Sequence, residues 1–302
     1  MSRSSTQKNR VAKSIFLLSL IAACLVCLML LVQNCQQEAA ERPGGTISRP
    51  AAPEALPGPS AGSEETDTPP SVMAPLAAYP RICIVIDDVG YSLEKLDPFL
   101  KYPGPLTLSV LPHLAFSREA SRLIKEAGKE LILHLPMEPV GDADPGPGAI
   151  LTSYDEETIR RLLDESFASV PGAVGVNNHM GSKAMADSRV MEVVMRYFAE
   201  HDMFFLDSGT TPDSKAPEWA ERLGVPLLQR DLFLDNEASE IAEQLQSGIT
   251  LAEESGSAVL IGHVKNREIV EHMERLDDVW LAAGLTAVTL SGMFQESTGT
   301  AP

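Results

Sequence analysis

The chain is short of cysteine, short of positive charge and nearly free of long apolar runs, and each shortage closes off a class of protein. Four cysteines occur among 302 residues. Cys24 and Cys27 lie in an apolar stretch near the start, Cys35 just beyond it, and only Cys83 falls in the part that reads as folded. A disulfide framework is therefore excluded, although the expected compartment would permit one. Lys and Arg number 24 against 42 Asp and Glu, a formal net charge of −18. Residues 1–14 hold Arg3, Lys8, Arg10 and Lys13 and no acid, so their +4 leaves −22 for the remainder. So acidic a body argues against nucleic acid as a partner and against an anionic membrane face. No internal repeat is present.

The one long apolar run is IFLLSLIAACLVCLMLLV, residues 15–32, which is 18 residues without a charge. A helix of that length just spans a bilayer's hydrocarbon core. Its basic flank, residues 1–14, belongs on the cytoplasmic side, which sends everything after Val32 across the membrane. No A-x-A-like site closely follows the run, which disfavours a cleaved signal peptide. The Val-Gln-Asn before Cys35 lacks the small residues of lipoprotein processing. The expectation is an uncleaved signal-anchor with a membrane-tethered domain outside the cytoplasm, periplasmic where the cell has two membranes. Residues 33–79 are dense in Pro, Gly, Ala, Ser and acids and read as a disordered tether.

Residues 80–296 have the composition of one folded domain, followed by a tail at 297–302. Short apolar runs at 82–86, 106–110, 130–134, 173–176, 203–206, 225–228, 258–261 and 285–288 alternate with amphipathic patterns such as SREASRLIKEAG and SRVMEVVMRYFAEH. That alternation predicts an α/β fold of parallel strands covered by helices. Seven or eight such units suggest a distorted (β/α) barrel, with a doubly wound open sheet as the alternative.

The carboxyl ends of parallel strands converge on one face, where sites are built. Here those ends carry Asp87-Asp88, Pro112-His113, His134, Asn177-Asn178-His179, Asp207-Ser208, Arg230-Asp231 and His263. Taken singly, an Asp after a strand is often a cap or turn residue, and a lone strand-end His is often a hydrogen-bonded rim residue. His113 is read in that ordinary way, and His201 and His272 as solvated helix residues. Two adjacent carboxylates repel, however, and both stay ionised only beside a positive charge. A divalent cation supplies it. One Asp oxygen with two imidazole nitrogens, for which His134 and His179 are the candidates, leaves a position open for water and points to zinc or a similar transition metal. The other carboxylate of the pair is then free to accept a proton from the water.

The runs IVIDDVG, LILHLPMEP, GVNNHMGSKAM, FLDSGTT, RDLFLDN and LIGHV, in that order, resemble the divergent polysaccharide deacetylases, relatives of the NodB-type carbohydrate esterases. The resemblance covers residues 81–294. It implies a metal-dependent deacetylase with a glycan substrate. It places the base at Asp87, a metal ligand at Asp88, a further ligand at His134 and a late acid histidine at His263. The family's second motif has two histidines four apart, whereas this chain has Glu138 at the second place, so His179 is the candidate for the missing ligand. Val264 follows His263 where proline is more usual. Asp207 is expected to orient His263 or to cap a helix. Glu138 is expected to bind the metal as well or to contact substrate, Arg230 to tune the carboxylate pair or to pair with Asp231 or Asp235, and Asn178 to contact substrate or support the site. A catalytically silent tethered protein, binding a glycan or a cell-envelope partner on the same rim, is the rival reading.

Overall fold

The structure, a computed structural model, describes residues 79–235, 240–282 and 284–295. The expected basic segment 1–14, anchor 15–32, nearly all of the tether and the tail 297–302 lie outside the described residues. Among the described residues, no helix is long and apolar enough to cross a membrane.

Strands and helices alternate along the chain. In order they are β1 (Arg81–Val89), α1 (Leu93–Lys101), β2 (Thr107–Val110), α2 (Ser117–Glu126), β3 (Glu130–Met137), α3 (Glu156–Ser169), β4 (Gly175–Met180) and α4 (Ser188–Glu200). There follow β5 (Phe204–Asp207), α5 (Ala216–Leu223), β6 (Leu227–Gln229), β7 (Leu232–Phe233), α6 (Ile241–Ser255), β8 (Ser257–His263), α7 (Glu268–Ala282) and β9 (Thr286–Val288). A 3₁₀ turn, Ser291–Phe294, ends the described part. Local chemistry sets the helix boundaries. Asp155 and Asp187 accept hydrogen bonds from Thr158 N and Val190 N and so cap α3 and α4. Gly256, with φ 87, ends α6 in the left-handed conformation that only glycine adopts cheaply.

Every strand pairing is parallel, in the order β6-β5-β4-β3-β2-β1-β8-β7. Residues 81–87 of β1 pair with β8, so β9, opposite residues 81–83, shares the other edge with β2. β6 and β7 stand at opposite ends of that order, yet only Arg230 and Asp231 separate them. The three Cα steps from Gln229 to Leu232 span at most about 11 Å, so the sheet must curl until its ends nearly meet. This is the distorted barrel, and an open doubly wound sheet is ruled out by the same connection.

Alternation along each strand divides the side chains between two faces. Ile82, Ile84, Ile86, Leu133, Leu135 and Leu260 join the helices' Phe99, Ile124, Leu163 and Leu245 in the larger core outside the sheet. Cys83, Val85, Ile132, Phe204, Leu206, Val259 and Ile261 face inward and meet Leu290 and Met293 of the carboxyl-terminal turn. That turn is held at the amino end of the strands: Ser291 N donates to Glu130, Leu290 N to Thr107 Oγ1, and Arg81 Nη1 to the Gln295 carbonyl. Gly175 leaves room for the inward ring of Phe204, since a Cβ there would lie 2.2 Å from it. The interior is thus filled with apolar groups at its amino end. At its carboxyl end the same inward rows continue as Asp87, His134, Asn177 and His263.

Three segments differ from the sequence expectation. The strand expected at 173–176 runs instead from Gly175 to Met180, so Asn177, Asn178 and His179 are strand residues. β3 continues through Pro136 to Met137, and its ladder carries β4 along with it. The two-residue strand β7 was not anticipated, since LF alone is too short to show a period.

Candidate metal centre

β1 breaks its ladder with β2 where the acids begin. Ile86 pairs with Leu108 and Val89 with Val110, so three steps along β1 match two along β2. The extra residue makes a β-bulge. Asp88 there has φ 65, a left-handed backbone that Asp tolerates better than most residues. In a regular strand neighbouring side chains face opposite ways. The bulge turns both carboxylates toward one imidazole: His134 Nε2 lies 3.7 Å from Asp87 Oδ2 and 3.4 Å from Asp88 Oδ1.

The second imidazole comes from the neighbouring strand. His134 pairs in register with Asn177 and Pro136 with His179, which brings His179 to the same side one pleat further toward the rim. His179 Nδ1 lies 3.0 Å from His134 Nε2 and 3.2 Å from Asp88 Oδ1. Asp88, His134 and His179 form the one cluster of metal-ligand type among the described residues. Three donor atoms therefore stand 3.0, 3.2 and 3.4 Å apart. Donors held about 2.1 Å from a shared cation, at angles of 90–110°, are separated by about 3.0–3.4 Å. Asp88 Oδ1 is buried and has no hydrogen-bond partner. A buried, unpaired carboxylate oxygen facing two imidazole nitrogens is costly without a cation. The donor set and its spacing fit a divalent transition metal.

The electrostatics run the same way. Burial favours the neutral Asp88 carboxyl, but His134 and His179 outweigh it and hold its pKa below the usual carboxylate range. Burial likewise favours neutral His134, and Asp87 and Asp88 overcome it and raise that imidazole's pKa. Without a metal, a proton would take the cation's place on His134.

Asn177, fully buried, sits beneath this cluster. Its Nδ2 donates to Asp87 Oδ1 at 2.8 Å, and its Oδ1 accepts from Ser109 Oγ at 2.5 Å and lies 2.8 Å from His134 Nδ1. One oxygen of Asp87 is tied back in this way, and the other, Oδ2, faces the cluster.

His263 ends β8 directly beside Asp87, with which it is in register. Its Nδ1 lies 2.8 Å from Asp235 Oδ1, and its backbone N–H donates to Asp235 Oδ2. The ring stacks on Phe233, over which the Arg230 guanidinium lies 3.8 Å from the ring centre. Burial lowers the proton affinity of His263, but Asp235 more than offsets this and the pKa is raised.

Four expectations need correction or refinement. Asp207 does not orient His263. Phe204 and Leu206 face inward, so period two turns Asp207 to the other face, where it accepts from Gly209 N and Ser214 Oγ. Asp235 holds the imidazole instead. Glu138 is not available to a metal: it accepts from Lys183 Nζ and from both the N–H and the hydroxyl of Thr152. Partial burial raises its pKa, but these bonds outweigh it and hold it down at about 2. Arg230 pairs with neither Asp231 nor Asp235 and donates to the carbonyls of Ser208 and Gly209. Asn178 braces backbone, donating to the Met180 carbonyl and accepting from Ser208 N.

Asn177, Ser109 and Asp235 were missed by sequence reasoning. A signal existed for two of them. Asn177 is two residues from His179 and so shares its face, and Asp235 is two residues from Phe233 in RDLFLDN.

Known proteins resemble this one over the folded part. An uncharacterized protein of Haemophilus influenzae is 33% identical over 194 residues, 64% of this chain and 69% of that protein. The uncharacterized protein YibQ of Escherichia coli is 34% identical over 185 residues, 61% of this chain and 58% of its own length. An uncharacterized protein of Agrobacterium tumefaciens shares the fold, with a TM-score of 0.68 at 23% identity over 72% of this chain and 90% of that one. Residues 84–294, which contain every donor described above, match the family described as divergent polysaccharide deacetylase, and the chain belongs to that family.

Proposed function

We propose that this protein is a metal-dependent hydrolase that removes N- or O-linked acetyl groups from a glycan outside the cytoplasm. Membership of the deacetylase family supports the reaction and a glycan substrate. The observation that carries the metal dependence is the set of three donors 3.0–3.4 Å apart around an otherwise unpaired carboxylate oxygen. The uncharged run 15–32 behind a basic flank supports a membrane tether and an external, in two-membrane cells periplasmic, location.

Asp88 Oδ1, His134 Nε2 and His179 Nδ1 would hold the metal, zinc or a close relative. When bound, the metal lowers the pKa of water and polarises the acetyl carbonyl. Asp87 Oδ2, left free by the bond that Asn177 makes to its partner oxygen, accepts the proton of the attacking water. His263 gives a proton to the leaving amine or alkoxide. Asp235 favours the imidazolium and fixes its plane, which suits an acid at neutral pH. Base and acid are register neighbours on β1 and β8, so they address one small space above the sheet.

Acetate release from acetylated xylan, chitin oligosaccharides and peptidoglycan by the zinc-loaded protein tests this reading. Turnover on at least one of them, lost in Asp87→Asn with metal content unchanged, is the expected result. Turnover that survives Asp87→Asn contradicts the mechanism.

A further inference from the structure

Asn177 exchanges no proton in the reaction just described, yet it makes the shortest and most buried side-chain contacts beneath the site. Its amide is 0% exposed. It touches three groups: Ser109 Oγ at 2.5 Å, His134 Nδ1 at 2.8 Å and Asp87 Oδ1 at 2.8 Å. With Asp87 in the ionised form that its role as base requires, the proton inventory of this set has one consistent solution. A carboxylate accepts only, so Nδ2 must face it and Oδ1 must face the other two. Oδ1 then accepts from Ser109, whose hydroxyl fixes the amide's rotation, and from His134, whose proton must be on Nδ1. That leaves a lone pair on His134 Nε2, the atom 3.4 Å from Asp88 Oδ1 and 3.0 Å from His179 Nδ1.

We infer that Asn177 is a positioning residue that sets two things with one amide: the tautomer in which His134 presents Nε2 to a metal, and the orientation in which Asp87 presents Oδ2 as base. The inference rests on the proposed hydrolytic reading for the role of Asp87, and on the geometry around an ionised Asp87 for the tautomer. The chemistry explains the residue type. A carboxylate at 177 accepts from His134 and Ser109 as well as the amide does, but it has no donor for Asp87. An apolar side chain serves neither and leaves buried polar atoms unpaired. Of side chains this length, the amide alone accepts on one side and donates on the other. Nothing of this depends on which sugar is bound.

The register shows how the fold delivers the amide. His134 and Asn177 are paired across β3 and β4, so their side chains stand side by side on the inward face. Asp87 and Ser109 reach the same point from β1 and β2, at the bulge. Four consecutive strands thus meet in one buried hydrogen-bonded group.

The test uses the full chain in detergent, with zinc as the metal, comparing Asn177→Ala and Asn177→Asp with the parent. Nitrogen-15 histidine spectra, assigned by difference from His134→Gln, should show neutral His134 as the Nδ1–H tautomer in the parent and in Asn177→Asp. In Asn177→Ala that single tautomer should be lost and zinc affinity should fall about 10–100-fold, the usual cost of a lost partner to a ligating His. Asn177→Asp should retain zinc affinity while its acetate release falls as far as that of Asn177→Ala. In the parent, the Asn177 side-chain amide proton should shift upfield when Asp87 is changed to Ala. A parent His134 protonated on Nε2, equal loss of zinc affinity in both variants, or an amide proton indifferent to Asp87→Ala would overturn the inference. If the parent releases no acetate from any substrate, the proposed function fails, and the tautomer and the amide shift still decide the role of Asn177.

Discussion

At Asp88 the backbone takes a left-handed φ of 65 and the side chain buries an oxygen with no hydrogen bond. Each feature alone costs on the order of 1–3 kcal/mol, and a cation bound as proposed would offset both. Asp88→Asn should therefore weaken zinc binding by more than about tenfold, measured by calorimetric titration. Metal affinity should also fall with acid. His134 has a raised pKa, so protons compete for Nε2 from a higher pH than they would for an ordinary imidazole, and affinity is highest above that range. His263 gives a separate pH signature. Its pKa lies above the ordinary value because Asp235 favours the charged ring, so the acid form persists to higher pH and activity falls only as pH rises through that raised value. Asp235→Asn should move the alkaline limb of the pH–rate profile to lower pH. An alkaline limb that stays in place in the variant rules out the pair as the source of that limb.

At the scale of elements, the acidic end of β1, the imidazole of β3 and the late histidine of β8 were legible because each follows a clear apolar run. What was not legible was the face. These strands are buried on both sides, so their sequences lack the polar alternation that marks an outward face. Asp207 looked equivalent to Asp87 for that reason, and only the assembled sheet shows Phe204 and Leu206 pointing inward and Asp207 the other way. Asn177 and Asn178 were indistinguishable in the same way. The bulge in β1 was hidden too, since it is a property of the ladder with β2 and not of one strand. Glu138 illustrates a spacing that misleads: its four-residue separation from His134 matches a metal motif, but its carboxylate ties the loop after β3 to Lys183 and Thr152. Glu138→Gln should leave zinc affinity unchanged and cost about 1 kcal/mol in denaturant unfolding near neutral pH. Because folding depresses its pKa to about 2, that contribution is present above the ordinary carboxylate range and is lost as pH falls toward 2.

For the whole molecule, the curl of the sheet creates an interior with two halves. The amino end is filled by Cys83, Val85, Leu206, Leu290 and Met293, and the carboxyl end by the acids, amide and imidazoles. The first half supplies burial and the second supplies chemistry. They should be separable. Met293→Ala, at the plugged end, should cost about 2–5 kcal/mol of stability and leave zinc affinity intact.

The most direct test of the central claim is a zinc titration of the purified full-length protein beside His179→Ala. One equivalent of tightly bound zinc in the parent, lost in the variant, is the result this account predicts, since His179 supplies the donor that the family's second motif lacks here. A parent that binds no transition metal, or a variant that binds it as tightly as the parent, would contradict the account.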